Sequence, residues 1–211
     1  MTSTINYTTP QEEFWAGRFG TEYIARNVSD QLLASNLNFF TKALKQAGRI
    51  SSCLELGANI GMNLKALQFL YPEIKLKGVE INADAAKLLG KLISESNVYE
   101  GSIFEYPITD KVDLSLIKGV LIHINPEMLG AVYEKLYQAS SRFILVCEYY
   151  NPSPVAISYR GHADRLFKRD FAGEMLDKYS DLRLVDYGFA YHRDRAFPQD
   201  DITWFLMEKR T

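Results

Sequence analysis

Short apolar runs alternate with helical stretches through most of this chain, and that alternation constrains its fold more than any other feature. Residues 53–56, 75–81, 98–104, 112–118 and 142–149 read as strands. Between them lie a helix around Leu67, one from Ala83 and one from Pro126, whose missing N–H suits a first helical turn. Strands that alternate with helices of this length form βαβ units, hence a parallel sheet covered on both faces. The tail breaks the rhythm. Residues 182–191 and 202–209 both read as strands, and the loop around Pro198 is too short to hold a crossover helix, so these two must be antiparallel neighbours. The expectation is a seven-stranded, mostly parallel sheet with an antiparallel last strand and helices on both faces. Ahead of it, Ile24, Leu32, Leu33, Leu37, Phe40 and Leu44 recur at helical spacing over residues 21–47, with Gly48 as the stop.

A chain of 211 residues is expected to be one compact unit, with residues 1–48 as a helical flap or lid and 49–211 as the main domain. The net charge of −2, with both signs interspersed, gives no case for nucleic acid or a membrane surface as partner. Cys53 and Cys147 sit in apolar runs without a CxxC spacing, which points to reduced, buried thiols and to no metal. The N-terminal sequence has no basic-then-apolar signal and no run is long enough to span a membrane, so a soluble cytoplasmic monomer or homodimer is expected.

The segment Glu55-Leu-Gly57-Ala58-Asn59-Ile-Gly61 joins the first strand to a helix. A dinucleotide-binding turn uses G-x-G-x-x-G to bring the backbone against a pyrophosphate. Here Asn59 replaces the central glycine, and Asn is the non-glycine residue most at ease in the left-handed region. The pattern points away from a pyrophosphate and toward S-adenosylmethionine, which has no phosphate. Glu55 is placed to meet the ammonium of its methionine part. Glu80, ending the second strand about 20 residues after the turn, is placed to accept hydrogen bonds from both ribose hydroxyls, with Ile81 and Asn82 at the same edge.

Several stretches resemble the pseudaminic acid biosynthesis-associated methylase family: EEFWAGRFGTEYIARN, ELGANIGMN, GVLIHINPE, CEYYNPSP, YRGHADRLFKRDFAGEML and FPQDDITWFLMEKR. The resemblance implies a Rossmann-like class I methyltransferase fold and methyl transfer from S-adenosylmethionine to a small molecule, a nonulosonic acid-type sugar or a related metabolite. It also implies that Ser102 and Ile103 flank the adenine, in a place where many relatives carry Asp at the Ser102 position. Gly119 would then lie beneath the cofactor and Val120 against the adenosyl group.

For the acceptor, a hydroxyl or ammonium must lose a proton, so a base is required. His162, in an expected loop after the fifth strand, is the first candidate, followed by His123. Glu148, Tyr149, Tyr150 and Asn151 leave the fifth strand at the same rim, where Pro152 forces an extended or turned chain. Arg160, Arg165, Lys168 and Arg169 are either a solvated helix face or a pocket for an acidic acceptor. Phe14, Trp15, Phe19 and Tyr23 can form an aromatic lid, with Arg26 and Asn27 near the methionine carboxylate. Two other functions compete: an NAD(P)-dependent oxidoreductase, which Asn59 and the reversed last strand disfavour, and a non-catalytic S-adenosylmethionine-binding protein.

Overall fold

The computed structural model describes residues 7–159 and 162–210. Its elements, in chain order, begin with α1 (Pro10–Ala16), α2 (Arg18–Tyr23) and α3 (Asp30–Ala43). The main alternation follows as β1 (Ser52–Leu56), α4 (Met62–Leu70), β2 (Lys75–Glu80), α5 (Ala83–Ile93), β3 (Val98–Glu100), β4 (Val112–Lys118), α6 (Leu129–Ala139) and β5 (Ser140–Glu148). Then come β6 (Val155–Tyr159), β7 (His162–Lys168), α7 (Phe171–Lys178), β8 (Leu182–Ala190) and β9 (Ile202–Lys209).

Seven strands form one sheet in the order β3-β2-β1-β4-β5-β9-β8. Neighbours from β3 to β5 pair in parallel, whereas β9 runs antiparallel to both β5 and β8. Six strands therefore share one direction and the last is reversed, as the short final loop requires.

The strands read as continuous apolar runs because both faces are buried. In β5, Phe143, Leu145 and Cys147 join a core that holds Phe39 and Phe40 of α3, Leu64 and Leu67 of α4 and Leu89 of α5. Ile144 and Val146 join a second core with Val132 and Leu136 of α6 and Phe171 and Met175 of α7. Helix α3, which precedes residue 48, thus packs as a core layer, and the segment from α1 to residue 27 covers the sheet edge. Both cysteines are free and buried. No helix among the described residues is long and apolar enough to cross a membrane.

Three local expectations are corrected. The single helix over 21–47 is broken, because Ser29 caps α3 by accepting a bond from Leu32 N and residues Ile24–Asn27 tighten into a 3-10 turn. The third strand stops at Glu100, since Ser102 O receives Glu105 N and Tyr106 N and curls the chain into a turn. The stretch after the fifth strand is neither loop nor helix face: β6 and β7 form a separate antiparallel pair.

Leu206, fully buried on the reversed strand, tests this packing. Leu206→Ala should lose about 2–5 kcal/mol, read as a lower urea midpoint at unchanged m-value; a loss below about 1 kcal/mol would mean that β9 is not anchored in the core.

Candidate active site

The strand order reverses between β1 and β4, so the chains leaving these two strands diverge and open a crevice at the carboxyl edge of the sheet. A cavity of about 230 Å³ occupies this place. Its floor is the turn after β1. Gly57 N and Ala58 N both donate to Val79 O at 2.9 Å, which stitches the turn to β2. Gly57 has φ of 76° and lies so close to Val120 that a Cβ would come within 2.5 Å of a Val120 methyl. Asn59 adopts φ of 48°, the left-handed conformation expected of it.

Glu80 ties this floor to the next turn. One carboxylate oxygen accepts Asn59 N at 2.7 Å and the other accepts Asn82 N at 2.8 Å. Asn82 in turn caps α5 by accepting Ala85 N, while its amide donates toward Ala16 O at 3.2 Å and Gly17 O at 3.3 Å. The covering segment is therefore hung on the end of β2. It brings Trp15, Gly20, Tyr23 and Asn27 to the cavity wall.

Of the expected cofactor residues, Gly57, Ala58, Asn59, Glu80, Ile81, Ser102, Ile103, Gly119, Val120 and Trp15 all line the cavity. Three do not. Glu55 is fully buried on the α4 side of β1, bonded to Asn63 at 2.6 Å, because strand alternation turns it into the core. Gly61 is required by helix packing, since a Cβ there would meet Leu89 at 2.7 Å and Leu92 at 2.8 Å. Arg26 is exposed, with its guanidinium 5.5 Å from the Tyr23 ring centre, and Asn27 takes the wall position.

On the acceptor side, His123 and Tyr149 line the cavity. His123 is 8% exposed, 4.7 Å from the Trp15 ring and 5.3 Å from the Tyr159 ring. Its Nδ1 lies 2.6 Å from Arg165 O, and a carbonyl only accepts, so Nδ1 carries the proton and Nε2 the lone pair. Burial pulls its pKa down to about 4, so the ring is neutral at physiological pH. Tyr149 is raised well above the usual phenol range by burial and by the charge of Asp200, so its hydroxyl stays protonated.

The remaining acceptor candidates are placed elsewhere. Glu148 lies behind the wall, where its Oε1 accepts Val120 N and Leu121 N, both at 2.9 Å, and so holds the turn after β4. Tyr150 is exposed and Asn151 bonds Ser153 O in a surface turn. Arg165 stacks over Phe14 at 5.4 Å, Lys168 over Tyr149 at 5.1 Å, and Arg169 pairs with Glu174 at 2.6 Å. The basic run is thus spread over three partners: Arg165 and Lys168 leave β7 on opposite faces, and Arg169 lies beyond its end. Arg160 lies outside the described residues; so does the side chain of His162, whose backbone opens β7.

Sequence reasoning missed Glu12, Lys118, Tyr159, Gln199 and Asp200, which all line the cavity. Glu12 had a readable signal. Thr9-Pro-Gln-Glu12 is a capping box with Pro at the first helical position, and the structure shows both of its bonds. Asp200 gave none, since a loop carboxylate is placed only by the tertiary fold.

No protein-family model matches the chain, and no curated protein sequence matches it. Solved structures do. It superposes on Burkholderia thailandensis 1,6-didemethyltoxoflavin-N1-methyltransferase, with bound 1,6-didemethyltoxoflavin and S-adenosylhomocysteine, at a TM-score of 0.71 and 17% identity, covering 99% of this chain and 93% of that one. The chain has the Rossmann-like methyltransferase fold. Magnesium protoporphyrin IX methyltransferase from Synechocystis PCC 6803, with bound S-adenosylhomocysteine, gives 0.69 at 13% identity over 95% of this chain and 98% of that one. Mitomycin 7-O-methyltransferase gives 0.67 at 15% identity over 95% of this chain, which spans 61% of that protein's length.

The buried carboxyls make stability depend on pH. Burial pushes Glu55 up to about 8 and Glu148 up to about 7, so between pH 5 and 8 the folded state binds these protons more tightly than the unfolded chain. Their stabilisation is present near pH 5 and is lost as pH rises through 7 and 8, whereas that of neutral His123 is lost as pH falls from 6.5 toward 4. Glu55→Gln should flatten the fall in melting temperature between pH 6 and 8.5; an unchanged slope would show that Glu55 does not titrate there.

Proposed function

We propose that this chain transfers the methyl group of S-adenosylmethionine to a small-molecule acceptor. One observation carries the reading: in a methyltransferase fold, Glu80 stands at the end of β2 against the glycine turn, on the wall of the cavity. A carboxylate has about four acceptor positions. Backbone N–H groups of Asn59 and Asn82 take one on each oxygen and that of Ile81 also acts on the carboxylate, which keeps acceptor capacity for a ribose hydroxyl. The residues present therefore fit an adenosyl ligand. The reversed β9 and the non-glycine Asn59 count against an NAD(P)-dependent oxidoreductase.

When bound, S-adenosylmethionine supplies a methyl group activated on a positively charged sulfur. The work left to the protein is orientation, exclusion of water and handling of the acceptor's proton. The covering segment, a lid in this reading, excludes water through Trp15 and Tyr23. Nε2 of His123 accepts a hydrogen bond from the acceptor's hydroxyl or amine, and the Tyr149 hydroxyl donates one. A pKa of about 4 makes His123 a weak base, so its main contribution is aim rather than proton abstraction. His162 on β7 is the second candidate base.

With Glu80 and Glu12 at the cofactor end, the charges left among the described wall residues are Asp200, which acts on Tyr149, and Lys118, which acts on Glu55 behind the floor. That balance does not single out an acidic acceptor. The family resemblance directs the search to nonulosonic acid-type sugars.

Labelled-methyl transfer across such sugars, paired with cofactor titration, tests the reading. Glu80→Ala should weaken S-adenosylmethionine binding by about 10- to 100-fold, the loss of a charge-assisted hydrogen bond. His123→Ala should leave binding within about twofold and lower turnover at least about tenfold. Undiminished cofactor affinity in Glu80→Ala would refute the ribose assignment, and wild-type turnover in His123→Ala would remove His123 from the reaction.

A further inference from the structure

We infer that Glu12, on the lid helix α1, recognises the exocyclic amino group of the adenine and selects that base, in a place where the end of β3 offers only a hydroxyl. The inference rests on the methyl-donor reading above and adds a residue from outside the sheet to it.

With the ribose on Glu80, at the end of β2, the base attached to it extends along the carboxyl edge toward the next strand out, β3. That part of the wall is apolar on its sides, with Ile103, Phe104 and Val120, and polar at Ser102 and Glu12. Both polar residues are buried, Ser102 at 8% exposure and Glu12 at 7%. Ser102 has one proton, and its Oγ donates it to Glu12 Oε1. The same oxygen accepts Phe104 N at 3.1 Å. Ser102 therefore has no proton left to give and little acceptor capacity left to use.

Glu12 still has capacity. Its Oε2 takes Thr9 N at 2.9 Å and the Thr9 hydroxyl at 3.4 Å, while its Oε1 takes Ser102 and no other partner among the described residues. A carboxylate with about four acceptor positions keeps one open on Oε1, at the polar end of an apolar wall. Leaving a buried acceptor unused is costly, and an acceptor-only group demands a donor from the ligand. The amino group of adenine is such a donor. A 6-oxo purine would instead set its oxygen against the carboxylate, two acceptors facing one another.

The capping box gives this contact its precision. Thr9 and Glu12 bond one another reciprocally, so the carboxylate is fixed relative to α1, and α1 is fixed relative to β2 through Asn82. Contact with the base then holds the lid down as well as reading the ligand.

Glu12→Gln is the informative variant, because its one carbonyl oxygen can complete the capping box with Thr9 N while its amide NH2, at the Oε1 place, donates to Ser102 Oγ. Calorimetric titration with S-adenosylhomocysteine and S-inosylhomocysteine reads the preference directly. Wild type should prefer the adenosyl ligand by about 10- to 100-fold, the range of a charge-assisted bond. Glu12→Gln should lose most of that preference, since the new amide can donate to the 6-oxo group. Adding Ser102→Asp to it should restore the preference by returning a carboxylate from β3. If Glu12→Gln weakens both ligands equally, or leaves the preference unchanged, Glu12 only pins the lid and the inference is wrong. If wild type binds neither ligand, the methyl-donor reading itself fails.

Discussion

Two hydrogen bonds to one carboxylate organise the carboxyl edge of this sheet. Glu80 holds Asn59 N with one oxygen and Asn82 N with the other, so the turn after β1 and the start of α5 share one anchor. The glycine turn gets its position from this anchor, and Asn82 passes it on to the covering segment through the carbonyls of residues 16 and 17. A carboxylate is an expensive choice here, since burial raises its pKa against those same bonds. The brace itself asks for it: two N–H groups meet two different oxygens, which a carboxylate supplies and an amide, with one acceptor oxygen, does not.

The other buried charges follow the same logic. Glu148 holds the turn after β4 through Val120 N and Leu121 N, and one of its oxygens has no partner among the described residues. Glu55 likewise has one oxygen on Asn63, the other without a partner among the described residues, and Lys118 on the same face of the sheet. These groups sit behind the wall and shape it. Glu55 and Glu148 thus stay behind the floor, and a neutral imidazole stands at the acceptor end.

The fold was legible because its signals are local and periodic. Continuous apolar runs announced a sheet buried on both faces, and the short link before Ile202 forced the reversed strand. The cofactor wall was legible because glycine turn and strand-end acid lie about 20 residues apart on adjacent strands, a spacing set by the βαβ unit. The acceptor side was not. Strands β6 and β7 pair outside the main sheet with no regular apolar alternation in their sequence, and Val155 and Ile157 remain exposed, so no periodic buried face marked a strand. Glu55 and Glu148 were read as facing the cavity because their place at a strand end was clear while their side of the sheet was not. Arg165 and Arg169 were grouped by sequence proximity, although their partners, Phe14 and Glu174, are chosen by tertiary packing. Glu12 was overlooked despite its capping box, since that motif reports a helix start and not what its acid touches.

The central claim is that the cavity between the ends of β1 and β4 holds an adenosyl sulfonium ligand rather than a dinucleotide. Side-by-side calorimetric titration of the wild-type chain with S-adenosylhomocysteine and NAD tests it most directly. The account predicts saturable one-site binding of S-adenosylhomocysteine and no measurable heat from NAD. Saturable NAD binding with none of S-adenosylhomocysteine would contradict it.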